Sequence, residues 1–254
     1  MIGAMLDQTL RTAQPPRPAL GTPDRHACGS RAARLEQEGF EVIPYVLTES
    51  ECRVTCAQVG SCGIARAGAR NLLPYPWCRE LAQRLLRHFG IARRLPPEAL
   101  AVQCTLFDKS VQRNWHVTPH QDLSVPVREW VDSDACRGWS RKDGMVFVQP
   151  PIDVLEGLLA ARLHLDDCAA ANGALRVVPG SHRHGRLNAK GIEALRTSHG
   201  ELVCTVPRGG VMLMRPLLLH ASSRTLGSGP RRVLHFVFGG AALPAGLSWA
   251  VDGA

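Results

Sequence analysis

Hydrophobic positions change their period twice along this 254-residue chain. Over residues 1–30 there is no period: Pro15, Pro16, Pro18 and Pro23 sit among Arg, Gly, Thr and Ala, with little apolar surface to bury. That stretch reads as a flexible tail, with one domain expected over residues 31–254. Helical spacing follows. A short helix is predicted around Ala32 to Glu38, stopped by Gly39. Thr48 and Glu51 form the pattern of a capping box, and Leu81, Leu85, Leu86 and Phe89 recur at helical spacing in a helix from Pro76 to Phe89, stopped by Gly90.

Beyond residue 100 the spacing turns to that of strands, predicted at Ala101 to Phe107, Val117 to Val127, Leu158 to Leu165, Ala174 to Val178, Leu202 to Val206, Val211 to Met214 and Val233 to Phe238. An earlier strand, Phe40 to Val46, is interrupted by Pro44. Short strands divided by Gly, Pro and Asn signals predict an antiparallel sandwich or barrel with helices at its flank. The stretch from Val127 to Asp153, with Trp130 and Trp139, reads as a long irregular connection of the kind that forms a lid or binding loop.

Charge changes this picture little. The formal net charge is +8, carried almost wholly by Arg, since Lys occurs only at Lys109, Lys142 and Lys190. No compact basic run with interleaved aromatics appears, so a solvated basic surface is the better reading than a nucleic-acid groove. The nine cysteines are odd in number and contain no Cys-x-x-Cys pair, which fits a reducing compartment. Cys52, Cys56 and Cys62 are read as packing residues. With no signal-peptide pattern and no apolar run of ~18 residues, a cytoplasmic location is expected.

The sharpest chemical signal is Pro119-His120-Gln121-Asp122 within strand-like text. Residues two apart on a strand share a face, so His120 and Asp122 can meet one ion while Gln121 points away. His220 ends the apolar run Leu217 to Leu219 and supplies a second imidazole. Two imidazoles and a carboxylate on one face of octahedral Fe(II) leave three positions open, enough for a chelating co-substrate and O2. A hydrolytic zinc site is the competing reading, although the helical His-Glu-x-x-His arrangement is missing. Eleven residues after His220, Arg231 enters the last strand; its planar guanidinium matches the far end of a dicarboxylate, and Ser222 can add a hydroxyl.

At these positions the sequence resembles the phytanoyl-CoA dioxygenase family of Fe(II)/2-oxoglutarate oxygenases, from about Arg34 to Trp249. The resemblance is carried by Leu106 to Ser110, Asn114-Trp115, His120-Gln121-Asp122, Asn172 to His182, His220-Ala221-Ser222 and Arg231-Arg232-Val233. It implies a mainly β fold with flanking helices, a double-stranded β-helix of the jelly-roll, cupin-like kind. It also implies His120, Asp122 and His220 as iron ligands, with Arg231 and Ser222 on the distal carboxylate of 2-oxoglutarate; strand alternation points the adjacent Arg232 the other way. Lys109, Gln121, Asn114 and Gln103 are further candidates for the co-substrate, and Trp130, Trp139 and His164 for the substrate. Asn172-Gly173 is assigned to a turn, and His182 and His184 to a loop.

The activity implied is a dioxygenase hydroxylating an unactivated C–H bond, with Fe(II), 2-oxoglutarate and O2 giving succinate and CO2. Desaturation, epoxidation and rearrangement use the same centre. Val251 to Ala254 carry no peroxisomal address, so a small metabolite or natural-product intermediate is expected rather than a fatty acyl-CoA. Two rivals remain, a nucleic-acid-directed oxygenase and a non-catalytic β-sandwich binding module. Neither membrane nor nucleic acid is expected as a partner, and the protein is read as a monomer or homodimer.

Overall fold

The flanking helices form where local signals are strongest. In a computed structural model, which describes residues 34–63, 68–227 and 229–251, residues 34–38 are helical (α1) and the chain reverses at Gly39, φ 82°. The expected N-terminal tail lies outside the described residues. Strand β1 (Phe40–Ile43) stops before Pro44, and the Thr48–Glu51 capping box opens α2 (Glu49–Ser61), with both reciprocal hydrogen bonds made. After the short β2 (Gly68–Ala69), Pro76 opens α3 (Pro76–Arg87). The expected continuation to Phe89 fails because His88 leaves the helical region, ψ 121°; Gly90 then lies inside a separate turn, α4 (Phe89–Ala92). Phe89 is therefore exposed, its ring covered by Arg93 at 4.9 Å, while Leu81 and Leu85 are buried.

Strand β3 (Leu100–Lys109) follows. The strand predicted over Val117 to Val127 is two: β4 (Val117–His120) and β5 (Val125–Val127), which lie in different sheets. Between them the chain is held by non-ladder bonds, the Asp122 N–H donating to the Pro216 carbonyl at 2.9 Å. The connection expected to be irregular contains β6 (Arg137–Lys142) and β7 (Met145–Gln149). They meet at a two-residue turn, Asp143-Gly144, both with positive φ as a type I′ hairpin requires. The strands β5, β7 and β6 make a three-stranded sheet.

A short helix, α5 (Ile152–Glu156), leads to β8 (Leu159–His164) and β9 (Leu175–Val177); α6 (Ala189–His199) leads to β10 (Leu202–Cys204), β11 (Val211–Met214), β12 (His220–Ser222) and β13 (Arg231–Gly239). Two antiparallel sheets result, ordered β1-β11-β8-β13-β3-β2 and β10-β9-β12-β4. They face one another as in a jelly roll, with Ala160, Met212 and Met214 of the first packed on Leu175, Val177 and Cys204 of the second. The outer face of the larger sheet carries Leu163, Leu234, Phe236, Cys104 and Leu106 onto Cys52 and Val59 of α2 and Cys78, Leu81 and Leu85 of α3. Each fully buried large apolar side chain there contributes roughly 1.5–3 kcal/mol. The cysteines on these helices are thus packing residues, and burial pushes the Cys52 thiol up to about 11.

Candidate metal centre

Register in the smaller sheet makes the site. His220 on β12 is paired directly with His120 on β4, so residues a hundred apart in sequence stand side by side, ring centroids 4.3 Å apart. Asp122 lies just past the end of β4. The turn places its carboxylate between the rings: His120 Nε2 is 3.6 Å from Oδ1 and His220 Nε2 3.8 Å from Oδ2. Among the described residues, His120, Asp122 and His220 are the group whose ligand atoms, all within 4.8 Å of one another, could hold a metal ion.

Backbone carbonyls set the tautomers. His120 Nδ1 is 2.9 Å from the Thr118 carbonyl and His220 Nδ1 2.8 Å from that of Leu218. A carbonyl only accepts, so each Nδ1 carries the proton and each Nε2 turns a lone pair toward Asp122. Burial pushes His220 down to about 4, keeping it neutral near pH 7, as a metal ligand must be. Burial also acts to lower His120, but Asp122 outweighs it and raises this group. Desolvation alone would raise Asp122; the His220, His120 and His235 rings facing it instead hold its carboxyl well below the usual carboxylate range. The site is one-sided: the side chains of His120 and Asp122 are 39% and 36% exposed, that of His220 only 4%.

Arg231 opens β13 opposite Lys109 on β3, and both are buried. Its Nε and Nη1 have no hydrogen-bond partner, two donors left for a ligand. The Lys109 ammonium donates to Ser222 Oγ at 2.8 Å and to the Ser223 carbonyl at 2.7 Å, and lies 5.0 Å over the Trp115 ring. Burial, with Arg231 nearby, pushes Lys109 down to about 8. Ser222 in turn donates to the Gly173 carbonyl at 2.9 Å. Gly173 is left-handed, and a Cβ there would meet the Ser223 carbonyl at 2.8 Å and the Lys109 side chain, so this turn needs glycine.

The remaining sequence candidates scatter. Gln121 is a clasp: its amide donates to the Gly185 and Leu217 carbonyls and accepts from Leu187 N–H, so its polar atoms are committed to backbone. Asn114 likewise exchanges two hydrogen bonds with the Thr225 backbone. Gln103 donates to Thr105 and lines a cavity of about 500 Å³ whose lining contains none of the three metal-site residues. Trp130 and Trp139 stack on each other at 4.4 Å. His164 is buried with neither ring nitrogen partnered, and burial followed by Arg162 and Arg231 pushes its pKa well down. Arg232 points away from Arg231 and grips Asp166 with Nε and Nη2 at 2.8 and 2.7 Å. His182 bonds to the Glu36 carbonyl.

Sequence reasoning missed two side chains on this interior face, Arg162 on β8 and His235 on β13. They are cross-strand partners, 3.0 Å apart from Nη1 to Nδ1, and His235 Nε2 lies 3.8 Å from Asp122 Oδ2. The signal was present: each shares the even spacing of one strand face with another interior polar residue, Arg162 two residues before His164 and His235 four after Arg231, in strands that are mostly apolar.

Two facing antiparallel sheets with a His-Asp-His centre between them define a metal-dependent jelly-roll oxygenase. The chain belongs to the phytanoyl-CoA dioxygenase family, whose model matches residues 35–233, and it is accordingly a non-haem iron, 2-oxoglutarate-dependent dioxygenase. No curated protein sequence matches it. Solved structures share the fold at low identity. The apo form of EctD from S. alaskensis superposes with TM-score 0.62 at 19% identity, over 92% of this chain and 90% of that one. HygX from Streptomyces hygroscopicus, with nickel and 2-oxoglutarate bound, gives 0.59 at 20%, over 83% and 86%. SnoK, a non-heme alpha ketoglutarate dependent carbocyclase from nogalamycin biosynthesis, gives 0.64 at 18%, over 92% and 98%. Among the described residues no helix is long and apolar enough to cross a membrane.

Proposed function

We propose that this oxygenase hydroxylates an unactivated C–H bond of a small metabolite or natural-product intermediate, with iron held by His120, Asp122 and His220 and 2-oxoglutarate anchored by Arg231. The observation that carries the reading is the pairing of two unmatched features in one interior: two imidazole lone pairs beside a carboxylate, and a buried guanidinium with free donors. Bound there, iron and 2-oxoglutarate supply oxidative decarboxylation to succinate and CO2 and the oxidising power for the C–H bond.

The chain's own residues do the rest. The Thr118 and Leu218 carbonyls hold both rings with Nε2 inward, so no rotamer search precedes binding. Arg231 offers Nε and Nη1 to a distal carboxylate, charge matched to charge in a dry setting. Lys109 spends two of its three hydrogens on Ser222 and Ser223 and keeps one for the same carboxylate, while Ser222 positions that ammonium. The exposed edge at His120 and Asp122 admits substrate, and the buried flank at His220 keeps water away from the other side.

A small molecule fits better than nucleic acid because the chain has no compact basic run with interleaved aromatics and several of its arginines are engaged by carboxylates. Arg84 pairs with Glu51, Arg94 with Glu41, Arg113 with Asp108, Arg196 with Glu201 and Arg232 with Asp166. The fold neighbour SnoK, a carbocyclase from nogalamycin biosynthesis, supports a tailoring role. We read residues 31–254 as one catalytic domain working in the cytoplasm as a monomer or homodimer.

The test mixes anaerobic protein with Fe(II) and 2-oxoglutarate, records the visible charge-transfer band of the chelate, and follows succinate after O2 is admitted. The wild type should show both. His120→Ala should lose both, and Arg231→Ala should chiefly weaken 2-oxoglutarate binding. A folded, iron-loaded wild type that shows neither band nor succinate would sink the assignment of these residues.

A further inference from the structure

Arg162 and His235 have no part in the roles above, yet both are buried, and His235 faces the Asp122 carboxylate. The β8–β13 ladder pairs them directly, and Arg162 Nη1 reaches His235 Nδ1 at 3.0 Å. A guanidinium has donors only, so Nδ1 must accept and the ring proton of neutral His235 must sit on Nε2. That is the reverse of His120 and His220, whose Nδ1 atoms face carbonyls. The Nε2–H of His235 faces Asp122 Oδ2 at 3.8 Å. The arrangement is braced by Phe107, over whose ring Arg162 lies at 5.2 Å and whose edge meets the His235 ring at 5.9 Å.

We propose that Arg162 and His235 form a positioning pair for Asp122: Arg162 selects the His235 tautomer, and the Nε2–H of His235, too far at 3.8 Å for a hydrogen bond, attracts one carboxylate oxygen electrostatically and leaves the other for the ion. The same tautomer bars His235 from being a fourth ligand, because its inward nitrogen already carries the proton. A carboxylate held by one oxygen takes a single coordination position, which keeps the open positions free for co-substrate and O2. The inference rests on the reading of His120, Asp122 and His220 as the metal ligands.

Co(II) binding to the metal-free full-length protein, followed by its visible d–d bands, tests it without turnover. His235→Leu should bind Co(II) more weakly by roughly 10–100-fold, the usual cost of losing such an outer partner. His235→Gln, which keeps a donor, should recover most of the affinity with wild-type bands. In 15N-histidine-labelled wild type, which needs no substitution to fold, the ring assigned to His235 should show the Nε2–H tautomer. The pair is overturned if His235→Leu binds Co(II) as tightly as wild type, if His235→Gln loses as much as His235→Leu with altered bands, which would make His235 a ligand, or if His235 carries its proton on Nδ1. His120→Ala separates the two readings: should it bind Co(II) like wild type, the triad itself fails, whatever His235 does.

Discussion

The two faces of the larger sheet are built on opposite principles from the same strands. On the helix side, Leu163, Leu234, Phe236 and Leu106 meet apolar residues of α2 and α3. On the interior side, one residue along in each strand, stand Arg162, His164, Arg231, His235 and Lys109, several with polar atoms that have no partner. The outer face is closed and carries the stability. The inner face packs Ala160, Met212 and Met214 on the smaller sheet and elsewhere keeps buried polar atoms without partners, the feature on which the proposed anion and cation sites rest.

The comparison breaks hardest on the outer face. Phe236→Ala should lower unfolding free energy by about 3–5 kcal/mol in urea titrations, through the cavity it leaves in a fully buried layer. A cost under about 1 kcal/mol would mean that this face is not the stabilising one. The mirror experiment is Arg231→Met. It should weaken 2-oxoglutarate binding on the order of 100-fold, the scale expected when one partner of a buried charge pair is removed. The ligand-free protein should be no less stable, because an unmatched buried guanidinium is replaced by an apolar chain. Loss of stability comparable to that of Phe236→Ala would show that Arg231 serves the fold first.

The smallest effect is a pH slope from Lys109, whose pKa burial lowers from 10.5 to about 8. Below pH 8 the folded, ligand-free protein holds this ammonium charged in a buried place. Between about pH 8 and 10.5 the folded state has shed a proton that the unfolded chain still keeps, so the contribution of this group to stability should rise with pH across that window. Raised thiols such as Cys52 act the other way in both proteins, so the check is the difference: the melting temperature of wild type relative to Lys109→Met should rise across this window. Equal slopes in the two proteins would remove Lys109 from the account.

How much of this was legible before the structure depends on how local the signal is. The capping box at Thr48–Glu51 and the β-rich second half were readable, because caps and period-two alternation are written within a few residues. The Asp143-Gly144 hairpin was equally local and was passed over, since Gly138 and a register shift blur the alternation of β6. The continuous strand predicted through Asp122 failed for a different reason: Gln121 finds its partners at Gly185, Leu187 and Leu217, and their carbonyls and N–H groups draw the chain out of the sheet.

By itself the sequence determined the class of the protein and picked out the residues proposed for its chemistry: His120 with Asp122, His220, and Arg231 at the start of the last strand. Those are choices of residue type at short spacing, and a donor set needs no tertiary knowledge to be recognised. Only the tertiary structure decided that His120 and His220 are cross-strand partners, that Gln121 and Asn114 hold backbone, and that His235, paired with Arg162, faces Asp122. Each of these depends on strand order and register, which long-range packing of the two sheets sets and no window along the chain contains.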